Sequence, residues 1–149
     1  MRTIKFRGKD IETGKWVYGF YVRLEDTFRK PIEGKERITN RIYTGFADSC
    51  VAPTIGYDFS GDWYEVDPDT IGQFTGLFDK NEAEIYEGDF LRSCFNDTEE
   101  PLVFEVIFDN GEFKRRYNKV TTCICPTHLF WEVIGNVHDN PELLEGGEE

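Results

Sequence analysis

The chain has 149 residues, with 17 Lys and Arg against 29 Asp and Glu, for a net charge of −12. That length suits one domain or two small ones and buries about 68–70% of the unfolded surface, so no disulfide or metal is needed to hold a core. Hydrophobic residues at 39% and aromatics at 15% exclude a disordered polymer, and no apolar run approaches the roughly 20 residues of a membrane crossing, which predicts a cytoplasmic chain with no membrane partner.

The segment TIKFRGKDIETGKWVYGFYVRL alternates Ile4 and Phe6 with Lys5 and Arg7, turns at residues 12–15, and resumes with Trp16, Tyr18, Phe20 and Val22. This is the pattern of a β-hairpin. Residues 25–36 carry mixed charge with Pro31 and Gly34 and read as an exposed loop, 37–44 as a short strand, and 45–62, broken by Pro53, Gly56 and Gly61, as irregular chain. Turn chemistry at Asp67-Pro68-Asp69 marks a boundary between an N-terminal β-rich region, 1–66, and a core region, 67–149.

Beyond that boundary short strands follow closely. IGQFTGLF (71–78) leads into a turn at 79–82, and EIYEGDFLRSCF returns with a bend at Glu87-Gly88-Asp89. PLVFEVIFD and EFKRRY flank Asn110-Gly111, the dipeptide suited to a two-residue type I′ turn. In the first of these strands Phe104, Val106 and Phe108 form the apolar face and Glu105 points outward. LFWEVIGNVHD (129–139) is nearly all apolar and reads as a strand buried on both faces. Asn140 and Pro141 then open a short helix on which Leu143 and Leu144 pack down. Six or more strands and almost no helix predict an all-β protein, a barrel or sandwich, with the N-terminal hairpin region packed on the C-terminal part.

Charge is unevenly spread: residues 1–45 hold 11 basic and 6 acidic residues, +5, and residues 46–149 hold 6 and 23, −17. The acidic part repels phosphate backbones and anionic lipid, while Arg2, Lys5, Arg7, Lys9 and Lys15 form a local basic stretch that reads first as a solvated strand face. Cys50, Cys94, Cys123 and Cys125 read as reduced thiols, because Cys123 and Cys125 lack the matching pair a zinc site needs and no base is set beside a thiol. Nucleotide, zinc-protease and hydrolase motifs are absent, and the carboxylate pairs Asp67 with Asp69 and Glu82 with Glu84 read as turn-forming residues. The aromatics exceed what one small barrel needs. Trp16, Tyr18, Trp63 and Tyr64 are therefore the candidate interaction surface.

IKFRGKDIETGKWVYG (4–19), VDPDTIGQFTGLFDKNEAEIYEGDFLR (66–92) and WEVIGNVHDNPELLE (131–145) together resemble the YopX family of phage and prophage proteins. The departures are Asn81-Glu82-Ala83, where the family pattern has Asn-Gly-Lys, and Phe90 in place of an aliphatic residue. The resemblance implies a β-rich protein whose C-terminal part resembles an SH3-like barrel, with the short helix read above at its end. It implies no known activity and carries over no functional residue. Within the shared motifs Gly72, Gly76, Gly88 and Gly135 read as bends or close approaches, and Asp79 and Asp89 as turn formers.

The expected function is a non-catalytic adaptor with a protein partner or a second copy of itself, and no cofactor. Two alternatives stand beside it. One is nucleic-acid association through the basic hairpin, or its converse, an acidic decoy of a host DNA-binding protein; the other is a small metal-dependent enzyme built on Asp67, Asp69 or the thiols.

Overall fold

The computed structural model describes residues 3–25, 38–44, 62–94, 102–124 and 130–145. Among the described residues the regular structure is eleven strands and a four-residue α-helix, α1 (Glu142–Glu145), with a 3₁₀ turn at Pro68–Thr70. The strands form two antiparallel sheets, neither closed on itself. The all-β expectation holds in that form, and closure into a barrel is not seen among the described residues. The loops expected over 25–36 and 45–62 fall almost wholly outside the described residues, as do Cys50, Cys125 and His128.

The chain divides into two compact units, one of Ile4–Ile71 and one built largely of Gly72–Glu149. In the first, β1 (Phe6–Lys9), β2 (Trp16–Glu25), β3 (Ile38–Tyr43) and β4 (Trp63–Glu65) lie in the order β4-β3-β2-β1. Strand β2 is ten residues long and changes neighbour midway: Trp16 to Gly19 pair with β1, and Phe20 to Glu25 pair with β3. The hairpin turn between β1 and β2 is built on Asp10, whose Oδ2 accepts the Thr13 N–H at 3.1 Å and the Thr13 hydroxyl at 2.5 Å. Gly14 there takes φ 68°, a conformation an L side chain resists. Beyond β4, Val66 bridges to Asp10 and the Asp67 N–H donates to Lys9 O, so the chain returns to the end of β1. Ile42 (0% exposed) and Val66 (2%) are buried on the inner side of this curl, and a Cβ on Gly8 would stand 3.0 Å from Val66 Cβ. Strand β4 was not expected from the sequence, since it is three residues long and follows a glycine-punctuated stretch.

In the second unit β5 (Gly72–Phe78) pairs with β6 (Glu84–Tyr86), and a five-stranded sheet runs β10 (Val120–Cys123), β9 (Glu112–Tyr117), β8 (Val103–Asp109), β7 (Asp89–Ser93), β11 (Trp131–Asn136). Asn110 and Gly111 take φ 51° and 85° between the paired residues Asp109 and Glu112, the positive-φ pair that a type I′ turn requires. The core joins Ile85, Leu91, Val106, Ile124 and Trp131, with Leu77, Phe104, Phe113, Phe130 and Val133 packed around it. Side chains of this kind contribute about 1.5–3 kcal/mol each on full burial.

Three expectations for this unit change. Strand β11 lies at the sheet edge instead of being enclosed on both faces; of its six residues only Trp131 and Asn136 are buried. Phe108, assigned to the apolar face, is 53% exposed because it adjoins the hairpin tip, where the sheet no longer covers it. Glu105 faces away from Val106 as expected, yet its side chain is only 12% exposed because the Arg116 guanidinium lies across it at 2.5 Å.

Candidate functional site

Side chains two residues apart on a strand share a face, and the registers carry that alternation across all four strands of the first unit. Phe20 pairs with Tyr43 and Tyr43 with Trp63; Arg7 pairs with Tyr18 and Lys9 with Trp16. One face, the outer one, therefore holds Trp16, Tyr18, Phe20, Tyr43 and Trp63, together with Arg7, Lys9 and Arg41. The Tyr43 and Trp63 rings meet with centroids 4.9 Å apart. Tyr18 is 42% exposed, Phe20 37% and Trp63 41%, and Leu24 on the same face is 41% exposed.

Tyr64 stands apart from the other three candidate residues. It pairs with Ile42, and with Tyr21 and Phe6 belongs to the opposite, inner face, where the Phe6 and Tyr21 rings lie 5.5 Å apart and the Tyr21 hydroxyl donates to Asn40 Oδ1 at 2.7 Å. The structure thus brings Trp16, Tyr18 and Trp63 onto one face and places Tyr64 on the other. Phe20 and Tyr43 complete the aromatic row and were not among the candidates. The signal for Phe20 was present in the spacing 16, 18, 20, whereas Tyr43 is placed only by the β2–β3 register.

Cations lie over the rings of this face. Arg7 Cζ is 4.6 Å and Lys9 Nζ 5.4 Å from the Trp16 centroid, and Lys5 Nζ is 5.6 Å from that of Tyr18. These distances lie within the roughly 6 Å at which a ring quadrupole attracts a cation. Close backbone approach underlies the arrangement: a Cβ on Gly19 would fall 1.9 Å from the Tyr43 carbonyl oxygen, so only glycine lets β3 come this near. At the end of β1 the Asp10 carboxyl is held below its ordinary value, first by the Thr13 hydroxyl and then by the Glu12 and Thr13 N–H groups, against the opposing effect of burial.

The other sequence candidates are placed as follows. Asp67 Oδ1 accepts the Asp69 N–H at 3.0 Å and so caps the 3₁₀ turn, while Glu84 Oε2 accepts the Tyr86 hydroxyl at 2.6 Å. Among the described residues no three His, Cys, Asp or Glu side chains gather as metal ligands. Cys94 and Cys123 are exposed free thiols. No helix among the described residues is long and apolar enough to cross a membrane.

The motif residues of the second unit act on structure. Asp79 is 1% exposed, and its Oδ1 accepts the N–H groups of Asn81 (2.7 Å) and Ala83 (2.9 Å) while its Oδ2 accepts that of Val133 (3.0 Å). The Lys80 N–H donates to Trp131 O, so the β5–β6 turn is laid along β11. Glu132 receives both Lys80 (2.8 Å) and Arg92. These two partners, Lys80 first, hold its carboxyl below the ordinary range and in turn raise Lys80 and Arg92. A Cβ on Gly135 would sit 2.5 Å from Asn140 Oδ1, which ties the VIGN and NPELL passages to one another.

Comparison with known proteins agrees with this geometry. The chain is 37% identical over 68 residues to the "SPbeta prophage-derived uncharacterized protein YopX" of Bacillus subtilis (strain 168), a match covering 42% of this chain and 51% of that protein, so it spans about half the length of that relative. It superposes on the crystal structure of protein EF1440 from Enterococcus faecalis with a TM-score of 0.57 and 26% identity, over 97% of this chain and 99% of that one. The family model described as YopX protein matches residues 5–145, which take in all of the three motif passages but Ile4 and most of both structural units, and the chain therefore belongs to the YopX family.

Proposed function

We propose that this protein is a non-catalytic interaction module of the bacterial cytoplasm that engages a protein partner through the outer face of β1–β4. The observation that carries the reading is the gathering of Trp16, Tyr18, Phe20, Tyr43 and Trp63 on one sheet face, with Tyr18, Phe20 and Trp63 each more than a third exposed. Isolated exposed apolar residues are ordinary, but a contiguous aromatic patch rimmed by charge is characteristic of contact surfaces. Tyr and Trp are suited to it because each covers a large area with few rotors and keeps a polar tip. In the same reading the five strands β7–β11 serve as an SH3-like scaffold, a class that docks peptides and protein surfaces with no reactive group.

The test is affinity capture of the tagged full chain from host lysate after nuclease treatment, with wild type beside Tyr18→Ala/Trp63→Ala. A buried aromatic anchor contributes about 2 kcal/mol or more, about thirtyfold in Kd, so a stoichiometric partner held by wild type should be lost by the variant. Equal capture by both, with melting temperatures matched, would overturn the assignment of this face.

A further inference from the structure

Apart from the β1–β4 face, and independent of what docks there, a guanidinium stands on the core face of the five-stranded sheet. The strands of that sheet carry Arg92, Lys114, Arg115 and Arg116 as their cations. Arg92 meets the carboxylate of Glu132, Lys114 that of Asp109 and Arg116 that of Glu105. Arg115 meets no carboxylate among the described residues. It pairs with the buried Val106 and so points to the face opposite its two neighbours, among the apolar groups of the core. Its Cζ lies 4.7 Å from the Phe104 ring centroid and 4.8 Å from that of Trp131, and its Nε donates to Thr122 Oγ1 at 2.8 Å. The N–H groups on Nη1 and Nη2 have no acceptor among the described residues.

We infer that Arg115 and Thr122 form a binding site for a carboxylate attached to an apolar group, either a free small acid or the C-terminal residue of a peptide. The rings hold the cation through their quadrupoles and Thr122 fixes one N–H, so the guanidinium is positioned before a ligand arrives. The remaining N–H groups form the fork that matches the two oxygens of a carboxylate. The Thr122 hydroxyl accepts from Arg115 and keeps its own proton to donate to the same oxyanion. A doubly charged phosphate suits the site less well. Arg92, Lys114 and Arg116 occupy the other face, Lys119 lies out in the β9–β10 turn, and the chain as a whole carries −12. The strand carboxylates Glu105, Asp109, Glu112 and Glu132 share that other face with their cations. Asp89 is on the core face but pairs with Asn136, at the opposite end of β11 from Trp131, and its Oδ2 accepts the Tyr86 N–H at 2.8 Å. The apolar requirement comes from Val120, 64% exposed, which pairs with Tyr117 beside Arg115 and Thr122 on the same face. Trp131 is itself buried and supports the cation from below.

The test is ¹H–¹⁵N NMR of the full chain at pH 7, following the Arg115 Nε–H and Thr122 amide resonances. The probes are hexanoate, hexanamide, inorganic phosphate, and an acetylated Ala-Ala-Leu peptide with a free or an amidated C-terminus. Hexanoate should shift both resonances saturably with a Kd of about 1–10 mM, as suits one ion pair and one apolar contact. Hexanamide should bind about tenfold more weakly, since charge-assisted bonds are about twice as strong as neutral ones. The free-carboxylate peptide binding tighter than hexanoate identifies a chain terminus as the source, and the reverse order identifies a free acid. Arg115→Lys keeps the charge but loses the fork and should weaken hexanoate about tenfold. Thr122→Val, at an exposed position, should weaken it as well and serves if Arg115→Lys is poorly folded by circular dichroism. Equal binding of hexanoate and hexanamide, tighter binding of phosphate, or no saturable shift at Arg115 and Thr122 overturns the inference and leaves Arg115 as a brace between two rings. Each of those results leaves the β1–β4 reading standing, because neither Tyr18 nor Trp63 takes part.

Discussion

Asp79→Asn preserves the shape of a buried side chain and removes its charge. In the native protein the two carboxylate oxygens accept three backbone N–H groups, from Asn81 at 2.7 Å, Ala83 at 2.9 Å and Val133 at 3.0 Å. The amide oxygen of the variant can take the two-bond position, which sets its NH₂ against the Val133 N–H, donor facing donor. One bond to a charged acceptor, worth about 1.5–3 kcal/mol, is then lost outright, and the other two weaken toward the about 0.5–1.5 kcal/mol of neutral pairs. The expected loss is about 3 kcal/mol, at the large end for one substitution because the carboxylate is 1% exposed and water cannot take its place. Urea unfolding at pH 7 reads this as a midpoint lowered by about 1–3 M, given slopes of about 1–3 kcal/mol/M. A variant within about 0.5 kcal/mol of wild type, the range of surface changes, would refute the claim that Asp79 staples the β5–β6 turn to β11.

Gly19→Ala should destabilise by about 3 kcal/mol, the upper range for overpacking, because its Cβ would fall 1.9 Å from Tyr43 O, a backbone atom of a paired strand. Gly111→Ala meets nothing within 4 Å and should cost only about 1 kcal/mol for its φ of +85°; thermal melts giving the reverse order would sink both arguments. Glu132 is depressed by Lys80 and Arg92, so its contribution is full above its ordinary value of 4.5 and is lost as pH falls through the lower folded value. Wild type should therefore exceed Glu132→Gln in melting temperature at pH 6, with the gap closing below pH 4.5. Glu87 is raised by burial, with the Gln73 backbone N–H opposing, so its favourable state lies below 4.5 and stability falls as pH rises through the folded value. Glu87→Gln should accordingly melt above wild type at pH 7 and match it at pH 4; no difference at pH 7 would contradict the desolvation argument.

Features set by neighbouring residues were legible in the sequence. Asn110-Gly111 specified its turn by φ alone, and the alternation of Trp16, Tyr18 and Phe20 placed them together on a strand. The motifs carried the family, because Gly135 against Asn140 is a local packing demand and Asp79 against Val133 a long-range one, and few sequences meet both. Features set by register were not legible. Trp63 and Tyr64 are adjacent, so once they lie in a strand they must face opposite ways, but β4 is too short to announce itself and is held by pairing with β3. Glu105 and Phe108 show the same limit: alternation gave their directions, whereas Arg116 on the neighbouring strand and the nearness of the hairpin tip decided their exposure. The apolar text of β11 suggested enclosure, yet it is an edge strand whose side is met by the Asp79-Lys80 turn and whose Glu132 is paired with two cations.

The change of neighbour within β2 bears on how the fold can vary among relatives. Since pairing with β1 ends at Gly19 and pairing with β3 begins at Phe20, the β2–β3 arm can lengthen without disturbing the turn built on Asp10. What governs such an insertion is its parity. Two residues added to each strand prolong the arm with every side chain still on its own face, whereas one added after Phe20 would turn Arg23 and Tyr21 outward and Val22 and Leu24 inward. Length polymorphism in this arm should therefore come in even steps, and an odd step should appear only where a bulge restores the alternation.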